Sequence, residues 1–80
     1  MKKLDNKKNI SGEYLKKIRL ERKLNRTEMS VALQLKGLSI TPEEIYRIET
    51  GRVYLKDFEL IAYCIVLDID MNEIKKSYII

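Results

Sequence analysis

Ile40-Thr41-Pro42-Glu43-Glu44-Ile45-Tyr46-Arg47-Ile48-Glu49-Thr50-Gly51-Arg52 is the stretch on which the fold turns. It reads as a short helix with both of its ends specified. Thr41 offers a side-chain oxygen to the free amides of a first turn. Pro42 suits the first helical position, where no amide hydrogen is needed, and Glu44 can reach back to the Thr41 amide. Ile40 and Ile45 are spaced to staple the entry, Ile45 and Ile48 share an inner side, and Gly51 supplies the stop. Tyr46 and Arg47 are left on the outer side.

The chain before this helix uses the same signals. Asn25 reads as the cap of a second helix, with Glu28 as its box partner and Leu24 stapled to Met29. Met29, Ala32 and Leu33 form its inner side. Gln34-Leu35-Lys36 adds a further turn that Gly37 closes, leaving Leu38-Ser39-Ile40 as the connector to Thr41. Earlier still, Ser11 reads as the cap of a first helix, with Ile10 stapled to Leu15. Leu15, Ile18, Arg19 and Arg22 follow helical spacing there, which sets an arginine within or beside a buried stripe.

Downstream, a fourth helix is expected from about Asp57 to Leu67, with Leu60, Ile61, Cys64 and Leu67 turned inward. Its cap position holds Lys56, which cannot accept from free amides. A fifth helix is expected from Asp70, boxed by Glu73, stapled from Ile69 to Ile74 and fraying near Ser77. No stretch alternates with period two over a strand's length, so no sheet is expected.

Eighty residues make one domain with a limited core, so caps and helix packing must supply much of its stability. The expected layout is a flexible basic arm over residues 1–9, a helical domain over 10–76 and an apolar tail over 77–80. Charge is unevenly divided. Through Lys56 there are 14 lysines and arginines against 7 acids, a net +7; from Asp57 onward there are 2 against 5, a net −3. The first two-thirds is a cation of the kind a polyphosphate attracts, although a solvated basic surface would look the same. The single cysteine, Cys64, and the lack of a signal-like start point to a cytoplasmic protein. No apolar run is long enough for a bilayer.

Taken together, Arg19, the Asn25-Arg26-Thr27-Glu28 opening, the Ile48-Glu49-Thr50-Gly51-Arg52 ending, Asp57-Phe58-Glu59-Leu60 and the Leu67-x-Ile69 stop form an ordered set. Over about Tyr14 to Ile74 the chain resembles the phage-repressor and Cro-type, or Xre-type, helix-turn-helix family. The resemblance implies an all-α, compact five-helix, lambda-repressor-like domain whose helix-turn-helix is formed by helices 2 and 3. It also implies that Glu49 accepts from Arg19, tying helix 1 to the end of helix 3. The connector from Gln34 to Ile40 is longer than the family's usual turn, and Glu43 and Glu44 stand where the family more often has serine, glutamine or arginine.

The function implied is sequence-specific binding of double-stranded DNA by a repressor-like transcriptional regulator. Base reading would fall to Thr41, Pro42, Glu43, Tyr46 and Arg47. Arg47 is suited to guanine O6 and N7, Pro42 to a thymine methyl and Glu43 to cytosine N4. Glu43 and Glu44 also have a purely structural reading, because acids in a first turn complement the helix dipole. Asn25, Arg26 and Thr27, at the start of helix 2, would hold a phosphate, and Thr50, Arg52 and Lys56 would grip backbone beyond helix 3. Lys2, Lys3, Lys7 and Lys8 would either follow the duplex or stay solvated. A homodimer is expected, since a twofold pair doubles the base contacts over half-sites about 34 Å apart. Its contacts are looked for near helix 5 and the apolar end Tyr78-Ile79-Ile80.

A second class of function stays open, in which the helix-turn-helix scaffold binds protein, as an antirepressor or antitoxin-like partner would; the two glutamates and the acidic last third favour it. Enzymatic chemistry is not expected. Without histidine there is no imidazole base or histidine metal ligand, Cys64 lacks a second thiol, and three scattered glycines make no phosphate loop. No cofactor, metal or small-molecule ligand is expected.

Overall fold

Helices form where caps and apolar spacing place them. A computed structural model of the protein describes residues 7–77, and among these there are five helices and no strand. They are α1 (Gly12–Glu21), α2 (Arg26–Leu35), α3 (Pro42–Glu49), α4 (Asp57–Leu67) and α5 (Met71–Ser77). Both central capping boxes are made. Asn25 Oδ1 accepts from Glu28 N at 2.8 Å while the Glu28 carboxylate accepts from Asn25 N at 2.9 Å. Thr41 and Glu44 repeat the exchange at 3.1 Å in each direction. Gly37 and Gly51 take left-handed φ values of 91° and 75° just past the ends of α2 and α3.

α1 starts differently from expectation. Ser11 makes no side-chain cap and is itself helical, while Asn9 Oδ1 accepts from Gly12 N at 2.7 Å. The Asn9 amide also donates to the carbonyls of Ile48 and Val53, at 3.1 and 2.9 Å, and Lys8 N donates to Gly51 O at 2.8 Å. Lys8 and Asn9, expected in a flexible arm, are therefore hydrogen-bonded to the end of α3 and the loop after it, while Lys7 Nζ pairs with the exposed Glu13 at 3.4 Å. The reason is that one asparagine both caps α1 and donates to two carbonyls, that of Val53 in the α3–α4 loop and that of Ile48, which also accepts from Gly51 N at 3.0 Å. Lys2 and Lys3 lie outside the described residues, as does the apolar end Tyr78-Ile79-Ile80; Ser77 is the last residue of α5.

Leu15, Met29, Leu33, Ile45, Tyr63 and Leu67 are fully buried at the centre, with Ile18, Ile40, Ile48, Ile69 and Ile74 around them. α2 packs on α3, α1 crosses α3, and α4 closes the bundle against α1 and α2. Gly12 lets α1 approach, because a Cβ there would collide with the Ile48 carbonyl. The inner face of α4 is rotated from the expected one. Ile61 points to solvent and Tyr63 takes the core position, because Leu60, Tyr63, Cys64 and Leu67 also satisfy a helical spacing and bury one large ring. At α5, Asp70 caps through Asn72 N at 2.9 Å, and Glu73 accepts from the Tyr14 hydroxyl at 3.3 Å instead of closing a box.

One ion pair crosses the core. Arg19 and Glu49 are only 3% and 4% exposed. Arg19 Nε donates to Glu49 Oε2 at 2.6 Å, Nη2 to Oε1 at 3.1 Å and Nη1 to the Leu24 carbonyl at 2.7 Å. Neighbouring Arg22 Nε donates to Leu67 O at 3.0 Å, satisfying the last carbonyl of α4. The pair expected between α1 and α3 is present, in the bidentate geometry that makes such pairs strong.

Removing one partner of a buried pair leaves the other charged and dry. Glu49→Ala is expected to lower unfolding stability by about 3–5 kcal/mol in a denaturant titration, against under 1 kcal/mol for exposed Glu13→Ala. Tyr63 gives a contrasting prediction. Its hydroxyl is buried without a partner among the described residues, so Tyr63→Phe is expected to keep or raise stability, by up to about 1 kcal/mol. Burial, aided by Glu49 and Glu59, pushes this phenol well above its ordinary pKa. The folded state therefore favours the neutral form, and stability falls once pH passes the unfolded value of about 10. Chemical melts between pH 8 and 11 should show that fall reduced in Tyr63→Phe.

Candidate functional site

The outer side of α3 is fixed by its two ends. Thr41 and Glu44 are engaged with each other at the start, so Glu44 acts as a structural acid there. Thr41, Pro42, Glu43, Tyr46 and Arg47 are all exposed. Arg47 Nη2 reaches Glu43 Oε1 at 3.0 Å, an i,i+4 pair with both side chains in solvent. Such a pair is worth about 0.3–0.5 kcal/mol, so it orients Arg47 without holding it. At the other end, Thr50 Oγ1 donates to the Tyr46 carbonyl at 2.9 Å. This hydroxyl proton is committed to the helix end, which leaves only its oxygen lone pairs and the surrounding backbone to face a ligand.

Residues distant in sequence converge on the Tyr46 ring. The guanidinium carbon of Arg26, at the first position of α2, lies 5.0 Å from the ring centroid. That of Arg52, beyond α3, lies 5.6 Å away. A cation over an aromatic face at this range is attracted by the ring quadrupole. Arg26 also touches the buried Glu49, Nε to Oε1 at 3.4 Å, so the Arg19–Glu49 pair is a triad reaching the surface. The sequence reading gave Arg26 a phosphate role and missed this second partner; an acid already matched to Arg19 carried no signal of a further one.

Beside Arg26, the α1–α2 corner forms an open groove of about 490 Å³ whose lining includes Lys16, Lys23, Asn25 and Arg26. Thr27 stands exposed on the first turn of α2 next to it. Lys16 and Lys23 are not singled out from sequence; Lys16 stands three residues before Arg19 on α1, whereas Lys23 lies in the turn after it at φ 60°, where helical spacing gives no signal. On the opposite flank of α3, Arg47 and Lys56 line a second depression of about 330 Å³ with Tyr54 and Glu59. Lys56 Nζ leans over Phe58 at 5.8 Å, and Lys8 over Tyr54 at 5.5 Å. The expected site residues thus fall into neighbouring groups around α3: Asn25, Arg26 and Arg52 toward the α2 start, and Arg47 and Lys56 toward α4. Arg19 and Glu49 lie beneath them.

Chemically, this surface offers planar cationic forks, flexible ammonium groups and the free amides of a capped helix start to anionic oxygens. Cys64 is a poor nucleophile by contrast. Burial, with a contribution from Asp70, pushes its thiol pKa up, and its sulfur sits 3.5 Å from that of Met71. Among the described residues no helix is long and apolar enough to cross a membrane. No protein-family model, curated protein or solved structure matches the chain.

Proposed function

We propose that this protein binds double-stranded DNA in a sequence-specific manner and regulates transcription as a repressor-like, Xre-type helix-turn-helix domain formed by α2 and α3. The observation that carries this reading is the gathering of Arg26 and Arg52 on the exposed Tyr46 ring, next to Arg47, on the outer side of α3. In this reading α3 enters the major groove. Arg47 leaves Glu43 to pair with guanine O6 and N7, exchanging a solvent-exposed contact for a bidentate one of about 1–3 kcal/mol. Tyr46, Pro42 and Thr41 pack against neighbouring base edges. Arg26, Arg52, Lys56, Lys16 and Lys23 hold phosphates on either side of the groove, with Asn25 and Thr27 directing the start of α2 at one of them. The protein works in the cytoplasm as a homodimer over two half-sites, without a cofactor and without catalysis.

Neutralising about five phosphates gives a log–log dependence of affinity on salt with a slope near −4.5. Fluorescence anisotropy with a duplex selected from a random pool should show it. Arg52→Ala is expected to weaken all sequences alike and to lower that slope by about 1. A second reading, protein binding by the same scaffold, is favoured by Glu43 and Glu44, which against the single Arg47 leave the start of α3 net negative. It requires a much flatter salt dependence.

The bases read are tested separately. Arg47→Ala is expected to cost about 1–3 kcal/mol and to relax preference at a single base pair in a repeated selection. Glu43→Gln removes an acid from the groove and frees Arg47, so affinity should rise, with lost discrimination confined to the position where a cytosine is accepted. An unchanged selected motif in both variants would refute α3 as the reading helix.

A further inference from the structure

α4 carries apolar side chains on the side turned away from the bundle. Leu60, Tyr63, Cys64 and Leu67 face the core, whereas Phe58, Ile61 and Ile65 are 56%, 53% and 57% exposed. These three recur at helical spacing, so they form one stripe along the outer face. Met71, half exposed at the start of α5, touches Cys64 at the edge of the inner face. Three isolated apolar residues on a surface would need no explanation, but a continuous stripe does.

The charges beside the stripe indicate what it fits. Lys56 leans over Phe58 at one end. The other charged residues of α4 and of the turn after it are acids: Asp57, Asp68 and Asp70, with Glu59 lining the depression it shares with Arg47 and Lys56. An antiparallel pairing of this face with itself brings the Asp57 end of one α4 to the Asp68 end of the other, where Asp57, Asp68 and Asp70 outnumber the cation Lys56. An isologous interface must match its own patch, and this one repels it. An anionic membrane surface is disfavoured on the same ground.

We infer that the outer face of α4 is a docking site for a basic amphipathic helix of another protein, which would set apolar side chains at i, i+4 and i+7 on Phe58, Ile61 and Ile65 and lysines or arginines beside the acids. This is helix-on-helix recognition, with apolar anchors giving affinity and flanking charge giving specificity. Apart from Lys56, which leans over Phe58, the face shares no residue with the proposed DNA-contacting set, so a regulator bound to DNA could still use it. The inference stands whether or not the protein binds DNA.

The probe is an acetylated, amidated peptide with leucines at i, i+4 and i+7 spacing and lysines elsewhere, compared with the same peptide carrying glutamates. Titration of the intact chain, read by amide chemical shifts, should place the lysine peptide on residues 57–71 and show binding that weakens with salt. Ile61→Ser and Ile65→Ser, both at exposed positions, should each weaken it about tenfold without changing the melting temperature. Asp68→Asn keeps a residue tolerant of the left-handed conformation found there, φ 54°, and should weaken binding while flattening its salt dependence. Equal binding of the glutamate peptide, or shifts unaffected by Ile65→Ser, would overturn the proposal. So would sedimentation showing a dimer that Ile65→Ser dissociates, or lysine-peptide binding that appears only after residues 78–80 are deleted.

Discussion

Glu49 sits at the end of a helix, almost wholly removed from water, at the point where α1, α2 and α3 come together. Desolvating a carboxylate costs several kcal/mol, and here the cost is offset by a matched cation in bidentate contact plus a third donor from Arg26. The geometry allows little freedom. Arg19 must leave α1 on the core side, its remaining nitrogen must meet the Leu24 carbonyl, and α3 must end where its last side chain can reach back. A bundle of apolar helices alone would tolerate several crossings. The charged triad selects one, and with it the relative position of the α2 start and the outer side of α3.

That constraint reaches the surface through Arg26. Its Nε contact to Glu49 is longer than either Arg19 bond, and its guanidinium lies over Tyr46. It is held from below by an acid that Arg19 already neutralises and from the side by a ring. The net result is a cation fixed in place but with donors to spare. Arg47, in contrast, is tied only to an exposed glutamate on its own helix. The two arginines therefore differ physically: one is positioned by the core and the other by a weak local contact that a ligand can displace.

The helices that carry their own end signals were legible from sequence. Asn25 with Glu28 and Thr41 with Glu44 are local exchanges over three residues, and Gly37 and Gly51 mark positive φ where other residues would be strained. The Arg19–Glu49 pair was reached through family resemblance, since nothing local joins residues thirty apart. The misreadings share a cause in tertiary context. Asn9 outcompetes Ser11 as the α1 cap because it also serves carbonyls forty residues away. The α1–α2 and α4–α5 turns place Lys23 and Asp68 at positive φ, with no glycine to announce them. On α4 the run of apolar residues is nearly continuous, so periodicity alone supports more than one inner face.

The rotation of α4 settles which of its side chains carry information beyond folding. With Tyr63 in the core, its ring fills the volume and its hydroxyl is left without a partner, a polar cost that the packing must offset. With Ile61 facing inward instead, that hydroxyl would be nearer solvent and an isoleucine would leave the outer stripe. The observed arrangement does the opposite, burying the one side chain of the helix's middle that has a polar tip and exposing two isoleucines that do not. The choice follows from ring size and from Leu67 and Ile69 needing to close the bundle after it. The outer stripe of α4 is therefore the complement of a core solution, with its acids at the ends. Cations outnumber acids through Lys56 and acids outnumber cations after it, so a modest net charge is divided unevenly between α1–α3 and the helices that follow.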